Sequence, residues 1–546
     1  MKNKITLIPL ITLCALSLTA CSYAFPFIGG GASNEYSYRP IDSNSSFGGG
    51  GDIPVGDIMA KKASYNYSDL ASNSVYPISC TPSIGKAKLL VIPVWFSDSS
   101  SFITLNYKDK VREDIEKAYF GTTLETGWNS VKTFYETESY GALKLSGTVS
   151  DWYEVSTSYV TYAKGSDVIS KTTQLVKNAT AWYFNNSGES KTQYDCDHDG
   201  YLDGVMLIYA APDYKSLNRD DYDNLWAYCF WAQEPSVKNI VNPGLNAFFW
   251  ASYTYMYGPN VASVRTGKSI YCAGDTTYCH IDCHTYIHEM GHMFGLADYY
   301  DYSTNAYVPA GGFSMQDRNI GGHDPFSVYA LGWAKAYIPT ATATINLKPF
   351  TVSGEIIILS PSFNTINSPF DEYLLLEYYT PDGLNEFDST YRYLGSVSST
   401  FTTGSRDAGI RLWHVDARLL YLNGPTPNPS NITVNPRTSS GKVAMMMSNT
   451  YYDGTPGVSE YMSILGKNYA DYNLLQLIRK DVNATYKPKD NLTSGSLFKV
   501  GSFFSMSTFS KQFVKTGRLN SDDYLGFTFT VNSFTSTHAS ITVTKQ

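Results

Sequence analysis

The chain has 546 residues, of which 43% are hydrophobic and 16% are charged, and its net charge is −8 at neutral pH. This length exceeds one ordinary hydrophobic core and predicts at least two folded domains. The negative charge argues against nucleic acid, or an anionic membrane surface, as the main partner, because proteins recognise both with basic surfaces.

The N-terminus has the composition of an export signal. A start with two lysines is followed by an apolar run at 5–18 that is too short for a comfortable membrane span. The run leads into Leu-Thr-Ala-Cys, which resembles a bacterial lipobox and makes lipidation of Cys21 the preferred interpretation, with plain secretion as the alternative. We therefore expect residues 1–20 to be a lipoprotein signal peptide. The mature protein is expected outside the cytoplasm, anchored by lipid to the outer surface of a bacterial cell membrane.

Residues 21–84 are predicted to form a flexible tether. Residues 29–52 are rich in Gly, Ser and Asn and contain too little apolar surface to hold one structure. Order is expected from Gly85, where the apolar run KLLVIPVWF is typical of a buried strand. Pro93 within this run predicts a bulge or an edge position, because proline cannot donate to a sheet ladder.

Residues 85–340 alternate between predicted helices and strands. Apolar residues recur at helical spacing in REDIEKAYF, NSVKTFYETESYG and DVISKTTQLVKNATAWYF. The segments ALKLSGTVSDWYEV and VMLIYA are typical of strands, and DPFSVYALGWAKAY near the end predicts a further helix. The fold class expected from this alternation is α+β.

Residues 341–546 have a different sequence pattern. Short runs that alternate polar and apolar residues are separated by turn residues, as in EYLLLEYY, GIRLWHVD, GFTFTVNSF and ASITVTK. Such spacing predicts a β-rich C-terminal region that ends in a β-sandwich. We expect residues 341–420 to pack on the preceding domain.

The chemistry is expected in HIDCHTYIHEMGHMFGLADYYD, which runs from His280 to Asp301. Residues four apart lie on one face of a helix, so His288 and His292 can share one metal ion. Zinc accepts imidazole nitrogen and keeps an open position for water at catalytic sites. Glu289 follows the first imidazole, where it can reach that water and act as a general base.

The pattern extends beyond HExxH, which helices also contain by chance. Gly295 is placed to end the helix in a left-handed conformation that lets the chain reverse. Asp298 follows three residues later, positioned to return as a third metal ligand. The resulting motif, HExxHxxGxxD, is much more specific than HExxH alone, because far fewer sequences match it by chance.

The ladder of histidines at every fourth residue is not expected to bind metal as a whole. With Asp282 as N-cap, the helix is predicted to span residues 283–294. His280 then precedes the helix. His284 is expected to form a hydrogen bond near the helix start, because Asp298 already supplies a third ligand.

A second candidate metal site is the acidic loop DCDHDGYLDG. It spaces oxygen ligands as an EF-hand loop does, with Gly200 at position 6, but position 12 is Met206 instead of a bidentate glutamate. Its clustered carboxylates would repel one another without a cation, so we prefer a structural calcium ion to a solvated acidic turn. The candidate calcium ligands are Asp195, Asp197, Asp199, Tyr201 through its carbonyl, and Asp203.

Six cysteines follow Cys21, and an even number in an exported chain permits disulfides. Cys272, Cys279 and Cys283 lie just before the histidine helix, where a disulfide among them would brace that segment. For Cys80, a disulfide or a free thiol is preferred to an inhibitory thiolate on the metal.

These segments resemble, in sequence and in order, the immune inhibitor A family of secreted bacterial metallopeptidases. The resemblance spans roughly Gly85 to Arg418 and rests on LLVIPVWFSD, VKTFYETESYGALKLSGTVSDWY, DCDHDGYLDGVMLIYA, HEMGHMFGLADYYD, HDPFSVYALGWAKAY, EYLLLEYY and GIRLWHVD. It implies a zincin-type domain with a mixed sheet, an active-site helix and a methionine turn beneath the metal, for which Met315 is the candidate. It also implies a zinc ion bound by His288, His292 and Asp298, with Glu289 as general base.

The function expected is that of a cell-surface zinc endopeptidase whose partners are protein or peptide substrates. Its oligomeric state is open. An alternative is a catalytically weak adhesin or glycan-binding surface lipoprotein on the same fold, with which the aromatic, β-rich C-terminal half is compatible. His414 and His323 could stabilise an oxyanion, but buried structural roles are the preferred interpretation.

Overall fold

The computed structural model describes residues 59–63, 66–71, 79–232, 238–257, 271–272, 279–301, 308–363, 368–390, 404–422, 432–434, 442–449 and 472–546. The predicted signal peptide, Cys21 and most of the predicted tether lie outside the described residues. Within the described ranges, no helix is long and apolar enough to cross a membrane.

The described chain contains nine α-helices and twenty-one strands, which we number in chain order. The helices are α1 (Tyr67–Ala71), α2 (Lys108–Phe120), α3 (Thr123–Thr126), α4 (Val131–Glu138), α5 (Val168–Ser187), α6 (His284–Met293), α7 (Pro325–Ala330), α8 (Phe350–Ser353) and α9 (Glu386–Thr390). The strands are β1 (Lys61–Lys62), β2 (Gly85–Trp95), β3 (Leu143–Val149), β4 (Tyr153–Glu154), β5 (Gly204–Tyr209), β6 (Tyr228–Trp231), β7 (Ala247–Ser252), β8 (Tyr271–Cys272), β9 (Cys279–His280), β10 (Lys335–Tyr337), β11 (Ala343–Leu347), β12 (Glu355–Leu359), β13 (Glu372–Tyr379), β14 (Gly409–Asp416), β15 (Leu419–Leu422), β16 (Ile432–Val434), β17 (Lys442–Met445), β18 (Leu475–Ile478), β19 (Phe503–Phe504), β20 (Phe527–Phe534) and β21 (Ala539–Lys545).

The N-terminal sheet has the strand order β3-β2-β5-β7-β6. Its first four strands run parallel, and β6 runs antiparallel at one edge. Every residue of β5 and β7 is buried, as expected of parallel strands whose two faces are both covered. One face packs against α5, and the other shares a core with α2, α4 and α6. The HExxH motif therefore lies on a helix that is fixed to the sheet along its apolar side.

Pro93 lies in the central strand β2, in continuous register with β5, so the predicted bulge or edge position is wrong. Proline is tolerated in this central strand because hydrogen bonding on the other side of β2 is interrupted. Pairing with β3 ends at Val91, and pairing with β4 begins at Val94. Proline falls between the two partners, where no ladder hydrogen bond is required of it.

A six-stranded sheet, β1-β10-β12-β13-β14-β18, forms the middle of the molecule. Alternate residues of its strands point to opposite faces. Tyr373, Leu375 and Trp413 belong to the same core as α6. Leu374 and Leu412 belong to a second core, shared with the C-terminal strands. This sheet is buried on both sides because it is packed between two layers.

The C-terminal layer is a four-stranded sheet of order β11-β21-β20-β19. Its inward aromatic residues stack closely, with the Phe504 and Phe529 rings 5.2 Å apart. Two sheets that share a core agree with the predicted β-rich region, while the β-sandwich assignment and the boundary at 340 stay predictions. The fold class is mixed α and β, as expected.

The segment before β2 is not the flexible tether predicted from the sequence as far as residue 84. β1 pairs antiparallel with β10, and Leu70 of α1 is completely buried. Closer to β2, the Thr81 amide donates to the Met293 carbonyl at the end of α6, 2.9 Å away. The signal for α1 is present in the sequence, because Asn66 and Asp69 form a reciprocal capping box.

The expected helix over DPFSVYALGWAKAY is only partly correct. Its first half is α7, capped by Asp324, whose carboxylate accepts from the Ser327 amide. Gly332 then has a φ of 82°, which ends the helical conformation and turns the chain into β10.

A buried ionic cluster joins β13 and β14 of the middle sheet to a loop of the C-terminal layer. His414 Nε2 lies 2.9 Å from Glu372 Oε1. The amide of Ser521 donates to the other oxygen of Glu372 at 2.8 Å. Arg418 binds both oxygens of Asp416, and these neighbours hold the pKa of the Asp416 carboxyl below its usual range despite its burial.

We expect His414→Ala to lower the free energy of unfolding by about 3 kcal/mol, because it leaves the Glu372 carboxylate buried with one partner fewer. Urea denaturation measures this loss. Asn346→Ala, at an exposed position on β11, is the control and should change stability by less than about 0.5 kcal/mol. Equal stability of the two variants would contradict a structural role for His414.

Candidate metal centre

The helix α6 is held at its start by a side chain outside it. Its N-cap is Cys283, which makes no side-chain cap, whereas the Asp282 carboxylate accepts from the His284 amide at 2.9 Å. The helix is one residue shorter at each end than the predicted 283–294. Asp282 nevertheless satisfies an amide of the first turn, as a capping carboxylate does.

The end of α6 is a Schellman turn. The Gly295 amide donates to the His292 carbonyl at 2.8 Å, and the Leu296 amide donates to the Gly291 carbonyl at 3.1 Å. Gly295 has a φ of 101°, a conformation that residues with a Cβ rarely adopt. The turn reverses the chain and brings Asp298 back over the helix.

Three predicted ligands converge on one point. Asp298 Oδ1 lies 3.1 Å from His288 Nε2 and 3.4 Å from His292 Nε2. One ligand atom each from His288, Glu289 and His292 falls within 4.8 Å of the others. Asp298 and Glu289 are almost completely buried. The geometry therefore offers two imidazole nitrogens and a carboxylate to one ion, with a second carboxylate beside it.

Both imidazoles are fixed in the tautomer that a metal requires. His288 Nδ1 donates to the Met315 carbonyl at 2.7 Å, and His292 Nδ1 donates to the Leu296 carbonyl at 2.8 Å. Because a carbonyl only accepts, each Nδ1 carries a proton, and each Nε2 is the nitrogen that can bind a metal once it is deprotonated. Such outer hydrogen bonds orient metal-binding histidines.

The electrostatics of the centre favour a cation. Burial raises the pKa of Glu289, although the two imidazoles oppose this. Burial also opposes a charge on His292, yet Asp298 raises the pKa of that imidazole to about 9. Within the described chain, Glu289 Oε2 is buried and accepts no hydrogen bond, while His292 Nε2 faces Asp298 Oδ1. These residues fit a divalent metal, which would replace the proton that they otherwise share.

The segment 315–319 runs along α6 and contacts each histidine of the helix in turn. The Met315 carbonyl accepts the hydrogen bond from His288 Nδ1. The side-chain amide nitrogen of Gln316 lies 3.3 Å from His292 Nδ1. The Asn319 carbonyl lies 2.8 Å from His284 Nε2. His284 therefore contacts the Asn319 carbonyl and is not one of the candidate metal ligands. Met315 is fully buried, and its carbonyl supports the metal side of the helix.

His323 lies behind α6. Its Nε2 is 3.3 Å from the Tyr135 hydroxyl, and that hydroxyl donates to the Ile287 carbonyl. Its amide donates to Glu138, a residue whose pKa burial raises to about 8. These contacts support α6 from the core side. Like His414 in the ionic cluster, His323 has the contacts of a structural residue.

The acidic loop brings together part of its predicted ligand set. Asp195, Asp197 and Asp203 place carboxylate oxygens within 4.8 Å of one another. Asp199 instead accepts from the Ser79 hydroxyl and from the Tyr201 amide. The Asp199 amide donates to the carboxylates of Asp195 and Asp197 at 2.9 and 3.3 Å, so Asp199 lies beside the other acids, and its assignment as a ligand, like that of the Tyr201 carbonyl, stays a prediction.

The carboxylates of the loop are also used by the fold. Asp203 accepts from the amides of Cys196 and of Lys88 in β2, at 2.9 and 2.7 Å. Burial raises the pKa of Asp203 to about 7. Burial and neighbouring carboxylates also raise the pKa of Asp197, but this side chain is exposed, so solvent screens much of the effect.

Four cysteines in the described residues are free thiols: Cys80, Cys196, Cys229 and Cys283. Cys283 therefore takes no part in the predicted disulfide, and the side chains of Cys272 and Cys279 lie outside the described part. Cys80 is buried near the acidic loop, and burial with the neighbouring carboxylates raises the pKa of its thiol. A high thiol pKa is the opposite of what an inhibitory metal-binding thiolate needs.

Several supporting residues were missed in the sequence because no motif marks them. Gln316 acts through its side-chain amide and Asn319 through its backbone carbonyl. A backbone carbonyl is common to all residue types, so the identity of residue 319 does not indicate this contact. Asp324 accepts from Ser314, which precedes Met315, at 2.8 Å, and from Ser327 of α7. Its cap position before Pro325 was the available clue.

A helix with an HExxH motif, packed on a mixed sheet and completed by a returning aspartate, defines a metallopeptidase. Residues 83–233 match the family described as immune inhibitor A peptidase M6, catalytic domain. This match confirms the resemblance to the immune inhibitor A family of metallopeptidases. It covers β2 to β6 and ends before α6, so the candidate metal ligands rest on their own geometry. No curated protein matches the chain.

We expect Gly291→Ala to destabilise the protein by about 1–3 kcal/mol, because overpacking outweighs the gain in helix propensity. An added Cβ would lie 2.3 Å from Gln316 Oε1, and Gln316 is fully buried. Urea denaturation measures the loss. The control, Asn185→Ala at an exposed position of α5, should not be destabilising. A Gly291→Ala variant as stable as this control would contradict the close packing of segment 315–319 on α6.

Proposed function

We propose that the protein is a zinc-dependent endopeptidase that hydrolyses peptide bonds of extracellular proteins. The observation that carries the proposal is the convergence of His288, His292 and Asp298 next to the buried carboxylate of Glu289. Two imidazoles and a carboxylate, with a fourth position left open, form a donor set that suits catalytic zinc.

Each residue has a defined part in the proposed reaction. Zinc, when bound, supplies a Lewis acid that polarises a peptide carbonyl and lowers the pKa of water. Glu289 Oε2 accepts a proton from the attacking water and later donates it to the leaving amine. Burial raises the pKa of Glu289, which makes its carboxylate a stronger base toward the water proton.

The location is part of the proposal. The basic and apolar start of the chain and the lipobox-like sequence before Cys21 support export and lipid anchoring to the outer surface of a bacterial membrane. A single acyl chain binds membranes only marginally, so stable anchoring requires more than one chain. The substrates expected at that surface are proteins or peptides outside the cell.

We expect Glu289→Gln to retain zinc and to lower kcat by at least about 10²-fold, because the amide cannot accept the proton. Casein cleavage and bound zinc are measured on the same preparation. His292→Ala is the companion variant and should lose zinc as well as hydrolysis. Undiminished cleavage by Glu289→Gln would refute the mechanism. Zinc binding without any cleavage by the wild-type chain would favour the adhesin alternative.

We also propose a structural calcium ion at Asp195, Asp197 and Asp203. The mutual approach of their carboxylates and their raised pKa values support it, because clustered carboxylates bind a hard cation. Asp199 and the Tyr201 carbonyl are the further candidate ligands of this set, and the Asp199 carboxylate already raises the pKa of Asp195 and Asp197. The ion would fix the loop that precedes β5.

This proposal makes the stability of the loop depend on pH. The folded pKa of Asp203 is raised to about 7, above its unfolded value, so the calcium-free chain loses stability from this group as pH rises from about 4 to about 7. Calcium should reverse that loss, and should therefore raise Tm more at about pH 8 than at about pH 5.

Thermal unfolding with millimolar calcium, or with magnesium for comparison, measures this difference. Asp197→Asn should remove most of the calcium effect, whereas Asp151→Asn, at an exposed position, should leave it intact. A calcium shift that is equal at both pH values, or unchanged in Asp197→Asn, would contradict the site.

A further inference from the structure

The segment that the sequence predicted as tether contacts the supports of the metal centre. We call residues 59–63 and 66–71 the N-terminal strap. It adds β1 to the edge of the middle sheet through Lys61 and Lys62, which pair with Ala336 and Lys335. Its helix α1 then turns inward, and Tyr67 and Leu70 are 2% and 0% exposed. An ordinary flexible linker would not bury these side chains.

Tyr67 is the inward anchor of the strap. Its ring meets those of Phe370 and Phe326 edge to face, at centroid distances of 5.3 and 6.5 Å. Phe326 belongs to α7. The Tyr67 hydroxyl interacts with that of Tyr299 and lies near Asp324. The anchor is thus packed between α7, the middle sheet and the chain that follows the third ligand.

Tyr299 and Asp324 connect this anchor to both loops of the metal centre. The Tyr299 hydroxyl lies 2.7 Å from Ser327 Oγ, and the Ser327 hydroxyl donates to Asp324 at 2.7 Å. Asp324 also accepts from Ser314, which precedes Met315. Since Tyr299 directly follows Asp298, one buried cluster touches both the third-ligand loop and the methionine turn.

The backbone links the two loops as well. The Tyr299 amide donates to the Gln316 carbonyl at 2.8 Å. Asp298 therefore reaches the metal from a loop that is held by Gln316 on one side and by the Tyr299 ring on the other. Removing the anchor beneath Tyr299 would free that ring and let Asp298 withdraw from His288 and His292.

We propose that Tyr67 of the N-terminal strap is a positioning residue for the metal centre, acting through Tyr299 to keep Asp298 in the ligand set. The strap would then have two roles, since it joins the body of the protein to the lipid anchor and also slows the loss of metal. The inference rests on the proposed function, because it takes Asp298 as a zinc ligand.

The test measures zinc release from the zinc-loaded full-length protein after addition of excess chelator. We expect Tyr67→Ala to release zinc at least about tenfold faster than the wild type, the size of effect typical of groups that orient metal ligands. Tyr67→Phe keeps the packed ring but loses the hydroxyl contact with Tyr299, so its zinc release should be faster than that of the wild type and slower than that of Tyr67→Ala. Tyr299→Phe, which loses the contact with Ser327, should accelerate release without removing any ring.

A matched control separates positioning from general destabilisation. Phe529→Ala removes a buried aromatic side chain from the C-terminal core, where it packs on Phe498 and Phe504, and it should release zinc at the wild-type rate. The positioning role of Tyr67 is refuted if Tyr67→Ala releases zinc no faster than the wild type, or if Phe529→Ala accelerates zinc release equally. A wild-type chain that binds no zinc overturns the strap and the proposed function together. A chain that holds zinc without cleaving peptides overturns the function alone.

Discussion

The hydrogen bond from His288 Nδ1 to the Met315 carbonyl couples the metal helix to the turn beneath it. It fixes which nitrogen carries the proton, and it does so through a backbone atom that moves only if the whole turn moves. The matching bond from His292 Nδ1 ends on Leu296, a residue placed by the Schellman turn at Gly295. Two backbone carbonyls thus set the direction of both imidazole lone pairs, and the remaining structure has to hold those carbonyls still.

The surrounding layers provide that rigidity. The methionine turn is linked to α7 through Ser314 and Asp324. α6 is held from the core side by Tyr135, and the middle sheet contributes to the core that α6 shares. Burial destabilises the charged form of Glu289 and raises its pKa, and electrostatic repulsion from Asp298 acts in the same direction. A bound cation offsets this destabilisation, which accounts for so many carboxylates and imidazoles around a small buried space.

The sequence predicted those parts of the site whose chemistry lies in side chains at regular spacing. His288, Glu289, His292 and Asp298 could be proposed from the helical period and from a glycine that reverses the chain. The roles of Gln316 and Asn319 could not, because contacts between residues far apart in the sequence leave no local pattern. The prediction of a flexible tether failed for a similar reason: α1 is a single helical turn, in which Tyr67 and Leu70 are buried among the described side chains, and the composition of the segment gave no sign of its capping box. At Pro93, the strand order decided the outcome, and strand order is not encoded locally.

X-ray absorption at the zinc edge of the zinc-loaded protein tests the central claim most directly, since it counts imidazole and sulfur ligands. Two imidazole nitrogens are expected at about 2.0–2.1 Å from zinc, completed by oxygen ligands from Asp298 and solvent. A third imidazole would mean that His284 leaves the Asn319 carbonyl to join the ion. A sulfur ligand would mean that a cysteine occupies the open position. Either result would contradict the assignment of the metal centre.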